Sequence, residues 1–160
     1  MKAIFAGSFD PFTMGHAEIV TKALGVFSEI VIAIADNGGK VVADVKKRCE
    51  IAKVSLSNSK NVVIKPFSGL LTDFMTSENC TFMIRGLRDS ADFLYEQNLA
   101  AVYKSQNTEI EQVYFITTHK YKHISGTIVR ELARLGGNLD GYVAKPAQEL
   151  VKAVYRESEK

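Results

Sequence analysis

Gly7-Ser8-Phe9-Asp10-Pro11-Phe12-Thr13-Met14-Gly15-His16 separates a short apolar run over residues 2–6 from a stretch whose apolar residues Ile19, Val20, Ala23, Leu24 and Phe27 recur at helical spacing. It reads as the turn from a first strand into a first helix, the place where open α/β folds hold phosphates. Gly7 permits backbone geometry that a side chain would block, and Asp10-Pro11 favours a turn. Gly15-His16 sets an imidazole in the first helical turn beside unpaired backbone N–H groups. An anion held there would meet His16, those N–H groups and the positive end of the helix dipole together.

Working outward, apolar runs over residues 2–6, 29–35, 61–66, 81–84 and 111–117 alternate with amphipathic stretches. That alternation predicts an α/β fold, a doubly wound, Rossmann-like parallel sheet of five strands with helices on both faces. No period repeats and no linker interrupts the chain, so residues 1–160 are expected to form one domain. If the strand order is 3-2-1-4-5, the winding reverses between strands one and four, and ligands collect at that reversal beyond the carboxyl ends of the strands. His16 and the arginines that follow strand four would then face each other across one crevice.

Composition bounds the partners. The 160 residues are 46% hydrophobic and 24% charged, ordinary for a globular protein, and 20 Lys plus Arg against 18 Asp plus Glu leave a formal charge of +2. This balance argues against nucleic-acid coating or membrane-surface binding. Cys49 and Cys80 have neither C-x-x-C spacing nor a His cluster nearby, which points to reduced core thiols. No run reaches the length of a membrane span or a signal segment, so a cytoplasmic protein is expected.

Each expected strand end carries candidate ligand groups. Lys40 is the first cation after strand two, and Gly38-Gly39 before it allow close approach to a phosphate. Leu70, Leu71 and Phe74 are spaced for core packing, while the backbone at Leu71 and Thr72 opens at the same sheet edge. Arg85-Gly86-Leu87-Arg88 sets two guanidinium groups directly after an apolar strand, where they need anionic partners, and planar bidentate donors suit phosphate oxygens. Asp89 opens the next helix as its cap. Ser125 or Thr127 caps the helix that carries Ile128, Val129 and Leu132, whose N-terminus suits a polyphosphate. His119 and His123 with Lys120 and Lys122 read as a solvated basic loop, and no set of protein metal ligands is apparent.

The pattern G-S-F-D-P-x-T-x-G-H resembles the signature of the adenylyltransferase branch of the nucleotidyltransferase superfamily. Thr13 at the start of the T-x-G-H segment, Arg85-Gly86-Leu87-Arg88 followed by Asp92-Phe93-Leu94-Tyr95-Glu96, and Ile124-Ser125-Gly126-Thr127 together resemble the phosphopantetheine adenylyltransferases. That family usually shows I-S-S-S or I-S-S-T at the last motif, so Gly126 removes one hydroxyl. The resemblance implies transfer of AMP from ATP to 4′-phosphopantetheine, giving dephospho-coenzyme A and pyrophosphate by direct in-line attack without a covalent enzyme intermediate.

By the same resemblance, His16, Lys40 and Arg88 are catalytic. ATP would be held by Ser8, Phe9, His16, Gly86, Leu87, Arg88, Glu96, Tyr121, Lys122, His123, Ile124, Ser125, Gly126 and Thr127. The acceptor would meet Ser8, Lys40, Leu71, Thr72 and Arg85. Mg2+ bound mainly through ATP phosphates, a homohexamer and inhibition by coenzyme A are implied too, with no nucleic acid or membrane partner. A nucleotidyltransferase acting on a pyridine mononucleotide or using a cytidylyl donor shares the first motif, and a non-catalytic nucleotide sensor is the reading from another class. A class I aminoacyl-tRNA synthetase fragment shares the H-x-G-H idea, but no K-M-S-K-S-like segment is present.

Overall fold

The structure is a computed structural model that describes residues 1–36 and 41–156. The candidate Lys40 and the glycines before it lie outside the described residues. In chain order the elements are β1 (Lys2–Gly7), α1 (Met14–Leu24), β2 (Glu29–Ala35), α2 (Val45–Ser55), β3 (Val62–Phe67), α3 (Leu71–Ser77), β4 (Phe82–Leu87), α4 (Ser90–Gln106), β5 (Glu111–Ile116), α5 (Gly126–Leu135) and α6 (Gln148–Arg156).

The strands form one sheet in the order β3-β2-β1-β4-β5, every neighbouring pair parallel. Because β1 and β2 lie inside the sheet, both of their faces are buried, and their apolar runs divide strictly by parity. Ala3, Phe5, Ile30, Ile32 and Ile34 enter a core shared with α1, α2, α5 and α6. Ile4, Ala6, Val31 and Ala33 enter a second core with Met75 of α3 and Tyr103 of α4. Two such layers flanking a parallel sheet are the doubly wound arrangement, and the reversal falls between β1 and β4.

Side-chain caps set where the helices begin. Asp44 accepts from Lys47 N at 3.0 Å, Asp89 from Asp92 N at 3.0 Å, and Ser125 from Ile128 N at 3.3 Å. Ser125, rather than Thr127, is thus the cap of α5. Gly136 ends that helix at φ +75°, a left-handed conformation that glycine adopts without a Cβ penalty.

One strand boundary differs from the sequence expectation. The apolar run suggested a strand that ends at residue 84, with Arg85 to Arg88 as a loop, but β4 continues through Leu87, pairing Arg85, Gly86 and Leu87 with Tyr114, Phe115 and Ile116. An arginine is tolerated inside the strand because Glu96 of α4 neutralises it. Arg88 is therefore the first residue beyond the strand.

Arg48, on α2, is 1% exposed and was not singled out by its sequence context. Its Nε donates to Ala43 O at 2.9 Å, and Nη1 donates to Ser8 O at 2.6 Å and Ala35 O at 2.9 Å. The guanidinium thus ties the exits of β1 and β2 to the chain before α2. Arg48→Met removes these donors from three carbonyls and is expected to cost roughly 3 kcal/mol or more. At about 2–4 °C per kcal/mol for a chain of this size, the melting temperature should fall by on the order of 10 °C in a thermal unfolding scan.

Candidate active site

A cavity of about 510 Å³ opens at the carboxyl ends of β1 and β4. Its floor is the stretch from Phe5 to Pro11, and α1 contributes Gly15, His16 and Ile19. Arg85 and Gly86 of β4, Arg88, and Asp92, Tyr95 and Glu96 of α4 form one wall, while Thr117, Tyr121 and the start of α5 form another. The crevice lies at the reversal of strand order, as the topology requires.

His16 is held by its own helix cap. Thr13 is the N-cap of α1; its hydroxyl accepts from His16 N at 3.4 Å, and its backbone N–H donates to His16 Nδ1 at 3.0 Å. This is a capping box in which histidine stands where Glu or Gln is usual. Nδ1 accepts the Thr13 amide, so it must be the unprotonated ring nitrogen, which leaves Nε2–H as the donor that the imidazole offers a bound group. The ring packs among Phe5, Phe9 and Phe12, with centroids 5.0–6.2 Å away. Burial, reinforced by the positive charge of Arg88, lowers its pKa from 6.5 to about 4. His16 is therefore a neutral donor at neutral pH, with its direction fixed before any ligand arrives.

Phe9 stands at φ +45°, in the left-handed region that bulky residues rarely occupy. Its ring fills the space beside Gly7, where a Cβ would meet the ring carbons at 3.3 Å. A side chain at position 7 would therefore press on the packed Phe9 ring, while the Gly7 dihedral itself makes no demand for glycine.

Every arginine that lines the cavity among the described residues has a carboxylate beside it. Arg85 forks onto Glu96 through Nε at 2.7 Å and through Nη2, and its Nη1 reaches Ala6 O at 3.3 Å. Arg88 meets Asp92 through Nε at 3.1 Å and its backbone N at 2.9 Å. Burial would raise the Asp92 carboxyl, but the hydrogen bonds from Arg88 outweigh it and hold the group below the usual carboxylate range. Arg130 Nη1 donates to Asp10 O and lies 3.5 Å from Asp10 Oδ2, while Nη2 donates to Thr127 Oγ1 at 3.1 Å. Three arginines and three carboxylates leave the described lining with no net formal charge.

Asp10 connects the parts. Its carboxylate is 5% exposed and accepts Val42 N–H at 2.8 Å, Ala43 N–H at 3.2 Å and the Tyr155 hydroxyl at 2.6 Å. Gly126 makes room for this hub, because a Cβ there would stand 2.7 Å from Asp10 O and 3.2 Å from Arg130 Nη1. The missing side chain at 126 is thus a steric requirement of this chain.

Of the residues singled out in the sequence, Ser8, Phe9, His16, Arg85, Gly86, Arg88, Glu96, Tyr121, Ile124, Ser125, Gly126 and Thr127 line the cavity. Glu96 was expected beside a nucleotide, but its carboxylate is occupied by Arg85 and acts on the cavity through that partner. Leu87 is buried, and Lys122 and His123 are exposed residues outside the lining. Leu71 and Thr72 begin α3, which packs on the same face of the sheet as α4, and they too lie outside the lining. Sequence reasoning missed Asp10 as more than a turn residue, and it missed Asp92, Thr117 and Arg130. For Arg130 the available signal was its position one helical turn after Thr127.

A family model described as cytidylyltransferase-like matches residues 4–132. Curated relatives named phosphopantetheine adenylyltransferase include those of Tolumonas auensis, 37% identical over 95% of this chain and 93% of that protein, and Bordetella petrii, 36% identical over 97% and 92%. A third, from Aromatoleum aromaticum, is 38% identical over 92% and 91%. Among solved structures, a bifunctional NMN adenylyltransferase/ADP ribose pyrophosphatase from Francisella tularensis, complexed with AMP and a manganese ion, superposes with TM-score 0.72 at 16% identity over 98% of this chain. This chain spans about half of that protein, 51%. A candidate nicotinate-nucleotide adenylyltransferase from Vibrio parahaemolyticus gives 0.73 at 16% identity over 98% of this chain and 95% of the other. At such identities the structures speak for the fold.

The His16 environment has a measurable signature. Above pH 6.5 the imidazole is neutral in both the folded and unfolded chain. As pH falls from 6.5 towards 4, the unfolded chain takes up the proton first, so stability is lost across that window and levels off below it. His16→Gln keeps a capping-box acceptor and removes the titration. The stability difference between wild type and H16Q in urea should therefore shift against wild type from pH 7 to pH 4.5. Gly126→Ala should destabilise the fold by about 1–3 kcal/mol, read from the same unfolding curves, because backbone of the Asp10 turn must move.

Proposed function

The chain belongs to the phosphopantetheine adenylyltransferases, within the cytidylyltransferase-like family, and from that premise we propose how its cavity performs the reaction. The enzyme transfers the adenylyl group of ATP to 4′-phosphopantetheine, with dephospho-coenzyme A and pyrophosphate as products. The observation that carries the mechanistic reading is the neutral, pre-aimed His16 donor in a crevice walled by three arginines.

The acceptor phosphate is already an oxyanion, so no general base has to create the nucleophile. Catalysis then consists of holding two polyanions in line and meeting charge as it builds on the α-phosphate. His16 Nε2–H donates to a non-bridging oxygen of that phosphate. A neutral imidazole does this without giving up its proton, and the Thr13 amide prevents the ring from turning away. Ser8 and Lys40 hold the bridging region. Arg85, kept in place by Glu96, holds the acceptor phosphate with the donors it has not committed, and Leu71 and Thr72 follow the pantetheine arm.

The leaving pyrophosphate is met by Arg88, by the turn from Ser125 to Thr127 at the start of α5, and by Arg130. Phe9, Gly86, Tyr121 and Ile124 complete the nucleotide site from the cavity lining, and Leu87, Lys122 and His123, which lie outside that lining, are assigned to it on the resemblance alone. Arg88 has to exchange Asp92 for phosphate, which its half-exposed side chain allows.

The cavity carboxylates are already supplied with donors, Asp92 and Glu96 by arginines and Asp10 by two backbone N–H groups and Tyr155, so the residues present fit a cation carried by the nucleotide rather than by a protein cage. Mg2+ bound through ATP phosphates would supply the positive charge that the paired arginines leave uncompensated. A homohexamer is the assembly that the resemblance implies, and exposed Leu94, Val102 and Ile116 on α4 and β5 offer apolar surface for contact between copies. Coenzyme A, which carries both halves of the product, is proposed to inhibit at the same cavity. No helix among the described residues is long and apolar enough to cross a membrane, and a cytoplasmic setting suits an ATP-dependent biosynthetic step.

His16→Ala should lower kcat by roughly 10²–10³ while the KM for ATP changes little, because the lost contact strengthens only as charge develops. Pyrophosphate release measured with ATP and 4′-phosphopantetheine, against ATP and nicotinamide mononucleotide, tests the acceptor in the same assay. Turnover with the first acceptor only is expected. A near-normal H16A rate would remove the histidine from its role.

A further inference from the structure

Tyr155 lies on α6, the last helix, and the reaction scheme makes no use of it. The residue is 3% exposed, and its hydroxyl donates to Asp10 Oδ1 at 2.6 Å, 145 positions away in the chain. Burial, then the bond to Asp10, pushes its pKa far above that of an ordinary tyrosine, so the hydroxyl remains a donor throughout the working pH range. A buried hydroxyl aimed at a carboxylate in the cavity floor is more than packing.

The geometry around Asp10 shows what this bond does. Oδ1 accepts Tyr155 and Ala43 N–H, and Oδ2 accepts Val42 N–H. Arg130 approaches Oδ2 only to 3.5 Å, the outer limit of a hydrogen bond. Its stronger contacts are with the Asp10 backbone carbonyl and with Thr127 Oγ1 at 3.1 Å, beside the start of α5. A guanidinium next to a carboxylate ordinarily closes into a two-bond fork, because that pairing is shorter and stronger. Here Oδ1 already takes two donors, so a fork onto both oxygens does not form.

We propose that Tyr155 is a positioning residue: by occupying the Asp10 carboxylate, its hydroxyl keeps Arg130 on the Asp10 carbonyl and Thr127, facing the cavity, instead of collapsed into a neutral pair. The inference rests on the reading that Arg130 meets the nucleotide polyphosphate. It makes α6 part of the active-site scaffold, although no residue of that helix lines the cavity. In Tyr155→Phe, Oδ1 loses a donor where water cannot readily replace it, and Arg130 is the adjacent side chain able to move in. The polyphosphate then competes with Asp10 for the arginine. Contacts to the outer phosphates exist in both ground and transition states, so the effect falls on KM.

The test compares wild type, Tyr155→Phe, Arg130→Met and the double variant in both directions of the reaction. Y155F should raise the KM for ATP, and for pyrophosphate in the reverse reaction, by about tenfold, with kcat and the phosphopantetheine KM within about twofold. Adding Y155F to R130M should raise the ATP KM no further, since the two changes act through one group. A second readout is the Arg130 Nε–H resonance at low temperature, assigned by its loss in R130M. It should shift between wild type and Y155F in the folded protein even where Y155F is less stable.

An unchanged ATP KM and an unshifted resonance in Y155F, with R130M impaired, would overturn the positioning role and leave the phosphate reading intact. Independent, multiplying effects of the two variants would overturn it as well. If R130M itself binds ATP and pyrophosphate normally, the phosphate reading of Arg130 fails, and the proposal fails with it.

Discussion

The carboxylate of Asp10 is the constraint on which the site depends. A buried anion is costly unless donors surround it, and here they come from residues 42 and 43 and from α6, while Arg130 of α5 holds the Asp10 backbone carbonyl beside it. Satisfying this one residue therefore fixes the return of the chain after residues 37–40, the approach of the helix that begins at Gly126, and the docking of the last helix. Arg48 performs the complementary task beneath it, drawing together carbonyls from the ends of β1 and β2. These two buried charges define the rim, and the parallel sheet provides the rigid platform beneath.

On that rim, cations are present but restrained. Arg85, Arg88 and Arg130 each have an acidic neighbour, and His16 is neutral, so the described lining carries no net formal charge. The pairing solves a folding problem, since several unpartnered guanidinium groups at one crevice would repel one another. It also imposes a functional condition. A polyphosphate must supply a better partner than the carboxylate it displaces, which favours ligands with several closely spaced anionic oxygens.

Gly126 is where this chain departs from the I-S-S-S or I-S-S-T motif that it otherwise resembles. In this fold a Cβ at 126 would press against the Asp10 carbonyl. The lost hydroxyl is accompanied by a tight Asp10–Arg130–Thr127 cluster at the same helix start. Membership in the phosphopantetheine adenylyltransferases follows from identity along almost the whole chain, whereas the superposition on pyridine-nucleotide adenylyltransferases at 16% identity reflects the shared sheet.

Sequence alone determined the alternation of strands and helices and the helix that presents His16, because local periodicity, a turn and a cap are written in neighbouring residues; the order of the strands in the sheet was decided by their pairing in the tertiary structure. It also drew attention to Arg85, Arg88 and Ser125, since charged or capping residues at the ends of apolar runs stand out locally. It placed Arg85 outside a strand that contains it, because the compensating Glu96 belongs to the next helix, 11 positions away. It gave no sign that Asp10 is more than a turn residue, that the His16 imidazole is a neutral and pre-oriented donor, or that Tyr155 reaches the cavity floor. Those properties depend on desolvation and on contacts between residues up to 145 positions apart, and they exist only once the chain has closed around them.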